Sequence, residues 1–140
     1  MSELNDITVV TIDEYGGLRE NVRAILHEIA TMLETLLASN ETGAIDIRSL
    51  PLLPGDYEAL EIALGTGEIA AEFDSGYGST LVTETETSGV WWIKHYNEEG
   101  DIAAEFIETT YIPEILLSQE ADIRESLKEL RKQLHDNYSH

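Results

Sequence analysis

The chain contains no cysteine. Disulfide bridges, thiolate chemistry, zinc sites with cysteine ligands and ordinary iron–sulfur ligation are therefore excluded. Basic residues are also scarce, since 8 Lys and Arg stand against 28 Asp and Glu and give a formal net charge of −20. Phosphate contacts need clustered lysine and arginine, so this composition argues against nucleic acid and anionic membrane as partners. The charge either attracts a basic peptide or protein surface, or serves solubility alone.

A long hydrophobic run is also lacking. Without a stretch of about 20 apolar residues, no membrane-spanning helix is expected. The N-terminus, MSELNDITVV, shows no basic region followed by an apolar stretch, so we predict no signal peptide and a cytoplasmic location. The chain has 140 residues and is 42% hydrophobic, which suits one globular domain with a real core.

Hydrophobic spacing predicts the helices. Residues 1–17 are weakly patterned and are expected to form a weakly ordered lead or an edge strand, followed by a single domain over residues 18–140. Apolar residues then recur three and four positions apart from Leu18 to Leu37, which predicts a long amphipathic helix with Gly43 as its end signal. A second, short helix is predicted from Pro54 to Leu64.

Strands are predicted between and after these helices. The segment AIDIRSL alternates in polarity and suggests a short strand. The segments EIAAEF, TLVTETET, VWWIKHY and DIAAEFIETTYI predict four more strands in a row. A last helix, with Ser118 as N-cap, carries apolar residues at helical spacing. The sequence thus predicts an α+β fold in which an antiparallel meander of about four strands is packed by a long N-terminal helix, a short helix and a C-terminal helix.

Both tryptophans of the chain, Trp91 and Trp92, are neighbours in the VWWIKHY strand and must point to opposite faces of the sheet. A two-residue turn at Ser88-Gly89 would place Thr85 opposite Trp92. A four-residue loop, NEEG, would then place Trp91 opposite Phe106. This register puts Trp91 on the helix-facing side of the sheet.

The same register leaves Trp92 on the other side, opposite Glu105. A three-residue loop with a bulge would instead place Trp92 against Phe106. In either register, the N-terminal segment or a second subunit could cover Trp92. We predict a partner-binding surface at this position, made of Trp92, Tyr96, Thr85 and Glu105.

Residues with catalytic chemistry form no convincing pattern. His27-Glu28 lacks the second histidine that a metalloprotease helix carries four positions later, because position 31 is Thr31. The segment LGTGE places its glycines after a helix, whereas a phosphate-binding loop opens one. We therefore expect no enzyme, no catalytic residue, no metal site and no cofactor.

Three segments carry a family resemblance: HEIATMLETLL, IDIRSLPLLPGDYEALEIALGTGEIAAEF, and ETETSGVWWIKHYNEEGDIAAEFIETTYIPEIL. In this order they resemble the C-terminal conserved region of hydrogenase expression/formation proteins of the HupH/HyaF type, over about residues 24 to 134. Many members of that family carry additional sequence before this region. The motif positions that match are Leu64, Gly65, Gly67, Glu68, Gly89, Val90, Trp91 and Trp92.

The resemblance implies a non-catalytic accessory protein of [NiFe]-hydrogenase maturation. Its expected partner is the precursor of the hydrogenase small subunit, which typically carries a twin-arginine export signal and iron–sulfur clusters, or another maturation factor. The resemblance assigns the glycines and Trp91 to the fold and leaves Trp92 as a candidate contact residue. Two other hypotheses remain, a small acidic homo-oligomer such as a dimer joined at Trp92, and a metal-dependent enzyme built on carboxylates.

Overall fold

The computed structural model describes residues 18–138. The predicted lead over residues 1–17 lies outside this range. The described elements are, in order, helix α1 (Glu20–Ser39), strand β1 (Gly43–Asp46), a 3₁₀ turn (Ile47–Ser49), helix α2 (Asp56–Leu64), strands β2 (Ala70–Asp74), β3 (Gly78–Glu84), β4 (Val90–Asn97) and β5 (Ile102–Thr109), a second 3₁₀ turn (Glu114–Leu116) and helix α3 (Glu120–Tyr138).

The strands form one antiparallel sheet in the order β1-β5-β4-β3-β2. Strands β2 to β5 are the predicted meander. Strand β1 adds a fifth strand at its edge, where Ala44 pairs with Glu108 of β5. The predicted α+β class is therefore confirmed.

Helix α1 lies over one face of the sheet. It buries Val22, Ile25, Ile29 and Leu36, which are the residues that the three-and-four spacing placed on one side. The helix ends at Ser39, before Gly43, because Asn40 takes a left-handed conformation and donates its backbone N–H to Leu36 O at 2.9 Å. Gly43, predicted as the end signal, instead begins strand β1.

The tryptophans face opposite sides, as two strand neighbours must, but the predicted assignment is wrong. Trp92 points toward α1 and α2 and belongs to the main core. Trp91 lies on the other face with Val82 and Ile93. That second face is covered near Trp91 by Leu116, while the Trp91 Nε1–H donates to Thr110 O at 3.2 Å. Both faces of β4 are thus covered, so an apolar residue on this strand does not reveal which side holds the helices.

The predicted pairing of β4 is also wrong on both sides: by two residues toward β3, and toward β5 by two residues in the register with the four-residue loop or by one in the alternative register with a bulge. Trp92 pairs with Thr83 on one side and with Ile107 on the other. Ser88 and Gly89 do form the centre of a tight turn, closed by the Val90 N–H and Thr87 O at 3.0 Å. The Thr85 N–H donates to Val90 O at 3.0 Å, so Thr85 lies opposite Val90 and four residues, 86–89, connect the strands instead of the predicted two. A shift of two residues keeps every side chain on its face, which is why the predicted grouping of side chains by face survives the wrong pairing.

Helix α3 forms where predicted but does not pack on the sheet. All its described side chains, up to residue 137, are exposed. The first helical hydrogen bond runs from the Ile123 N–H to Gln119 O, so Gln119 takes the N-cap position predicted for Ser118. Among residues 18–138, no helix is both long enough and apolar enough to cross a membrane.

The starts of α1 and α2 are joined by one buried carboxylate, Asp56. It accepts hydrogen bonds from Arg19 Nε at 2.7 Å, Asn21 Nδ2 at 2.8 Å and the Leu53 N–H at 2.7 Å. Burial alone would raise the pKa of Asp56, but these hydrogen bonds and the charge of Arg19 outweigh burial and lower it. The ionised form of Asp56 therefore stabilises the fold.

Replacing Asp56 tests this role. We expect Asp56→Asn to lower the free energy of unfolding at pH 7 by about 2–4 kcal/mol, because it removes a buried charge partner of Arg19. A lowered folded-state pKa gives stability above the unfolded value of about 4, and this stability is lost as the pH falls through the folded-state pKa. The difference in the free energy of unfolding between wild type and variant should therefore become smaller as the pH is lowered into the acid range.

Urea unfolding followed by circular dichroism over a pH series measures both effects. Glu58→Gln is the matched control, because Glu58 lies in the same first turn of α2 and is exposed. It should change the free energy of unfolding by no more than about 0.5 kcal/mol. Equal stability of Asp56→Asn and Glu58→Gln would contradict the role given to Asp56.

Candidate functional site

Two of the three resembling segments, the second and the third, meet around one small cavity. It has a volume of about 230 Å³ and lies between the C-terminal end of α2 and the paired strands β3 and β4. Each of the segments LGTGE, ETETSG and GVWWIK contributes side chains or backbone to its wall. We call this space the motif cavity; its lining residues are Glu61, Gly65, Thr66, Leu81, Thr83, Glu84, Thr85, Trp92 and Lys94.

The LGTGE segment is fixed to the end of β3 by backbone hydrogen bonds. The Gly67 N–H donates to Glu84 O at 2.7 Å, and the Glu86 N–H donates to Leu64 O at 2.9 Å. Gly65 ends α2 with φ +69, a conformation that favours glycine. At Gly67, a Cβ atom would lie only 2.6 Å from the Thr85 carbonyl oxygen. The two glycines of LGTGE thus allow the chain to turn after α2 and to approach the end of β3 closely, which forms one wall of the motif cavity.

Trp92 forms part of the floor of the motif cavity and is only 5% exposed. Its Nε1–H donates to the carboxylate of Glu105, on the neighbouring strand β5. The Tyr57 hydroxyl, on α2, donates to the same carboxylate oxygen. The two rings also meet edge to face, with centroids 5.6 Å apart. Glu105 therefore joins α2, β4 and β5 below the cavity.

Electrostatic contacts complete the cluster. The Lys94 Nζ atom lies 5.7 Å from the Trp92 ring centroid and 5.9 Å from that of Tyr57, within cation–π range. It also lies 3.7 Å from a carboxylate oxygen of Glu61. Burial, the hydrogen bond to Glu105 and the nearby negative charges raise the pKa of Tyr57 well above its usual range. Tyr57 therefore stays neutral and remains a donor.

The structure brings together three of the four residues predicted to bind a partner. Trp92 and Thr85 line the motif cavity, and Glu105 holds Trp92 from below. All three are buried, so they lack the accessible surface that direct contact requires. The Thr85 hydroxyl is moreover engaged with the backbone, donating to Val90 O at 2.9 Å. Tyr96 is half-buried on β4 and does not line the cavity.

The other motif residues occupy structural positions. Leu64 and Val90 are buried in the main core, and Glu68 is exposed. Gly89 has φ +87 in the turn before β4.

Sequence reasoning missed three residues around the motif cavity, namely Tyr57, Glu61 and Lys94. Strand alternation was a usable signal for Lys94, because it stands two residues after Trp92 and so shares its face. Tyr57 and Glu61 lie four positions apart on α2 and therefore on one side of it. Nothing in the local pattern shows that this side of α2 meets Trp92, since that contact depends on how α2 packs on the sheet.

The cavity offers groups suited to recognising a basic side chain. Glu61 and Glu84 line it, and the Glu86 carboxylate lies against Gly65 at its edge. We call Glu61, Glu84 and Glu86 the acidic rim. Within residues 18–138, no three histidine or acidic side chains lie close enough to hold a metal ion. The carboxylates therefore place negative charge at the edge of the motif cavity.

Truncating Trp92 tests its role in the core. We expect Trp92→Ala to lower the free energy of unfolding by about 3–5 kcal/mol, because it removes a buried ring and takes a donor from Glu105. Denaturant unfolding followed by far-ultraviolet circular dichroism measures this change. Tyr77→Ala is the control, since Tyr77 is 85% exposed and should tolerate truncation. Unchanged stability of Trp92→Ala would contradict the placement of Trp92 in the core.

The sequence matches the family model described as HupH hydrogenase expression protein, C-terminal conserved region, over residues 20–136. It is similar to hydrogenase expression/formation protein HupH of Rhodobacter capsulatus, with 34% identity over 95 residues, covering 66% of this chain and 34% of that protein. It is also similar to hydrogenase expression/formation protein HupH of Rhizobium leguminosarum bv. viciae, with 30% identity over 111 residues, covering 79% of this chain and 39% of that protein.

The fold matches a solved structure, that of hydrogenase expression protein HupH from Thiobacillus denitrificans ATCC 25259. The TM-score is 0.78 at 38% sequence identity, and the match covers 83% of this chain and 96% of that chain. The curated relatives are longer, since this chain spans only about a third of their length. The chain belongs to the HupH hydrogenase expression protein family and corresponds to its C-terminal conserved region.

Proposed function

We propose that this chain is a non-catalytic accessory protein of [NiFe]-hydrogenase maturation that binds the hydrogenase small-subunit precursor, or another maturation factor, in the cytoplasm. The observation that carries the proposal is its family membership, since the relatives are named for hydrogenase expression and formation. The geometry of the motif cavity supports it and suggests where a client would bind.

Several polar groups of the motif cavity that look reactive in sequence already serve the fold. The Tyr57 hydroxyl and the Trp92 indole N–H are both held by Glu105. The Thr85 hydroxyl is held by backbone carbonyls. Groups fixed in this way stabilise the site rather than react, which supports a binding role.

The acidic rim is the surface that suits a basic client segment. Glu84 and Glu86 stand at the edge of the cavity, whereas Glu61 already lies 3.7 Å from Lys94, so a guanidinium or ammonium group would meet negative charge at Glu84 and Glu86. The precursor expected from the family resemblance carries a twin-arginine signal, which has the required charge. A partner without cysteine can also hold such a precursor without competing for its iron.

Charge reversal at the acidic rim tests the proposal. We expect Glu84→Lys/Glu86→Lys to weaken binding of a purified small-subunit precursor by about tenfold or more, and to reduce its dependence on salt. Isothermal titration calorimetry at several salt concentrations measures both. Circular dichroism of the variant confirms that it is folded.

The control is Glu98→Lys/Glu99→Lys. These two exposed residues lie in the loop between β4 and β5, and their replacement makes the same change in net charge. The control should bind almost as well as wild type. An equal loss of affinity for the precursor in both variants would show that the acidic rim does not bind it specifically. No binding of the precursor by folded wild-type protein would contradict the small-subunit proposal itself.

A further inference from the structure

Helix α3 carries an apolar stripe that nothing in residues 18–138 covers. The stripe consists of Ile123, Leu127, Leu130 and Leu134, whose side chains are between 45% and 61% exposed. Their spacing of four, three and four residues places them on one face of the helix, along about 16 Å. Four aligned large apolar side chains on one exposed helix are typical of a helix that docks on another surface.

A basic ridge runs beside this stripe. Arg124, Lys128 and Arg131 each follow an apolar stripe residue by one position, which places them about 100° around the helix on one side of the stripe. With Lys132, α3 holds four of the chain's 8 Lys and Arg. The remainder of the chain is therefore far more acidic than α3.

A surface with exposed apolar residues and carboxylates, complementary to the apolar stripe and basic ridge of α3, lies at the β1 edge of the sheet. A cavity of about 540 Å³ is lined there by the start of β1, the end of β5 and the segment that follows β5. We call it the edge groove. Its exposed apolar members are Ile112, Ile115 and Leu117, and its carboxylates are Glu108 and Glu114.

The edge groove lacks a positive partner for these carboxylates. Burial raises the pKa of Glu108, and the charge of Glu114 raises it further. No ion pair between a basic side chain and either carboxylate is found among residues 18–138. An apolar groove with two close carboxylates complements an apolar stripe with a basic ridge.

We propose that α3 docks into the edge groove of a second copy of this chain, so that two copies form a two-fold symmetric dimer. Only Ser118 and Gln119 separate α3 from Leu117, which itself lines the groove, so this short connection leaves α3 little freedom to fold back onto the groove of its own chain. A second copy is free of this constraint. Exchange of a terminal helix between two copies is a common route to a symmetric dimer.

Net charge does not prevent this contact. Two copies of charge −20 repel at long range, but at physiological ionic strength this repulsion is screened beyond about 8 Å. The basic ridge and the carboxylates of the edge groove would meet well within that distance. Local complementarity therefore decides the contact.

The first test is the oligomeric state of the full chain. Sedimentation equilibrium should show a dimer for wild type, and Leu127→Glu/Leu130→Glu should raise the dissociation constant at least about tenfold. The matched control is Leu37→Glu/Leu53→Glu, because both leucines are exposed, at 76% and 62%, and lie outside α3 and the edge groove. A monomeric wild type, or equal dissociation of both variants, would overturn the proposal.

A charge exchange tests the pairing of the two surfaces. Arg131→Glu alone and Glu114→Lys alone should each weaken the dimer, whereas the combined variant should recover most of the lost affinity, because ridge and groove again carry opposite charges. Additive loss in the combined variant would argue against contact between the basic ridge and the edge groove.

Disulfide cross-linking shows whether the edge groove holds α3 of a second copy or α3 of the same chain. The test is clean because the chain has no cysteine of its own. An oxidised mixture of Leu130→Cys and Ile115→Cys chains should give a cross-linked pair containing one chain of each kind. Pairs of Leu130→Cys chains alone would show helix-to-helix pairing and overturn the docking in the groove. A bridge within single chains carrying both changes, formed at high dilution, would show that α3 folds onto its own groove and would overturn it as well.

Discussion

A single buried carboxylate, that of Glu105, joins the elements around the motif cavity. It accepts hydrogen bonds from Tyr57 on α2 and from Trp92 on β4, while it stands on β5 itself. A buried carboxylate without donors is costly, so the positions of both rings are fixed by its need for partners. The edge-to-face contact of the rings and the placement of Lys94 beside them follow from that arrangement. Tyr57 thereby fixes the first turn of α2 against β4 and β5, while backbone hydrogen bonds hold the LGTGE segment against the end of β3.

This constraint also decides what the motif cavity can present to a partner. Trp92 is the residue that looks most like a contact in sequence, yet its indole N–H and its ring are both used inside the protein. What remains accessible is the acidic rim, whose carboxylates stand around a floor that is already filled. Such a site has a rigid apolar base and charges at its edge, which is how recognition surfaces combine affinity with specificity. Trp92 thus acts from inside the protein, by holding the site in place.

Much of the fold can be predicted from the periodicity of apolar residues in the sequence, and the predictions that were wrong failed for a physical reason. The spacing of Val22, Ile25 and Ile29 defines α1, and Gly65 ends α2, because these signals are local. The inward face of β4 is not local, because Leu116 covers Trp91 while the helices cover Trp92. The burial of Glu105 was also not predicted, since a carboxylate in a strand is expected on the solvent side. Only the donors supplied by Tyr57 and Trp92, from distant parts of the chain, make its burial possible.

The two proposed surfaces are compatible because the sheet separates them. The edge groove lies at β1 and the end of β5, whereas the acidic rim lies near the C-terminal ends of α2 and β3, and β4 separates β5 from β3 in the strand order. Docking of α3 at β1 would therefore leave the acidic rim of each copy open. Two rims held at a fixed separation would bind a client with two basic segments, or two clients, more tightly than one rim alone. The exposed stripe of α3 would then be buried between two copies, as the two tryptophans are buried within one.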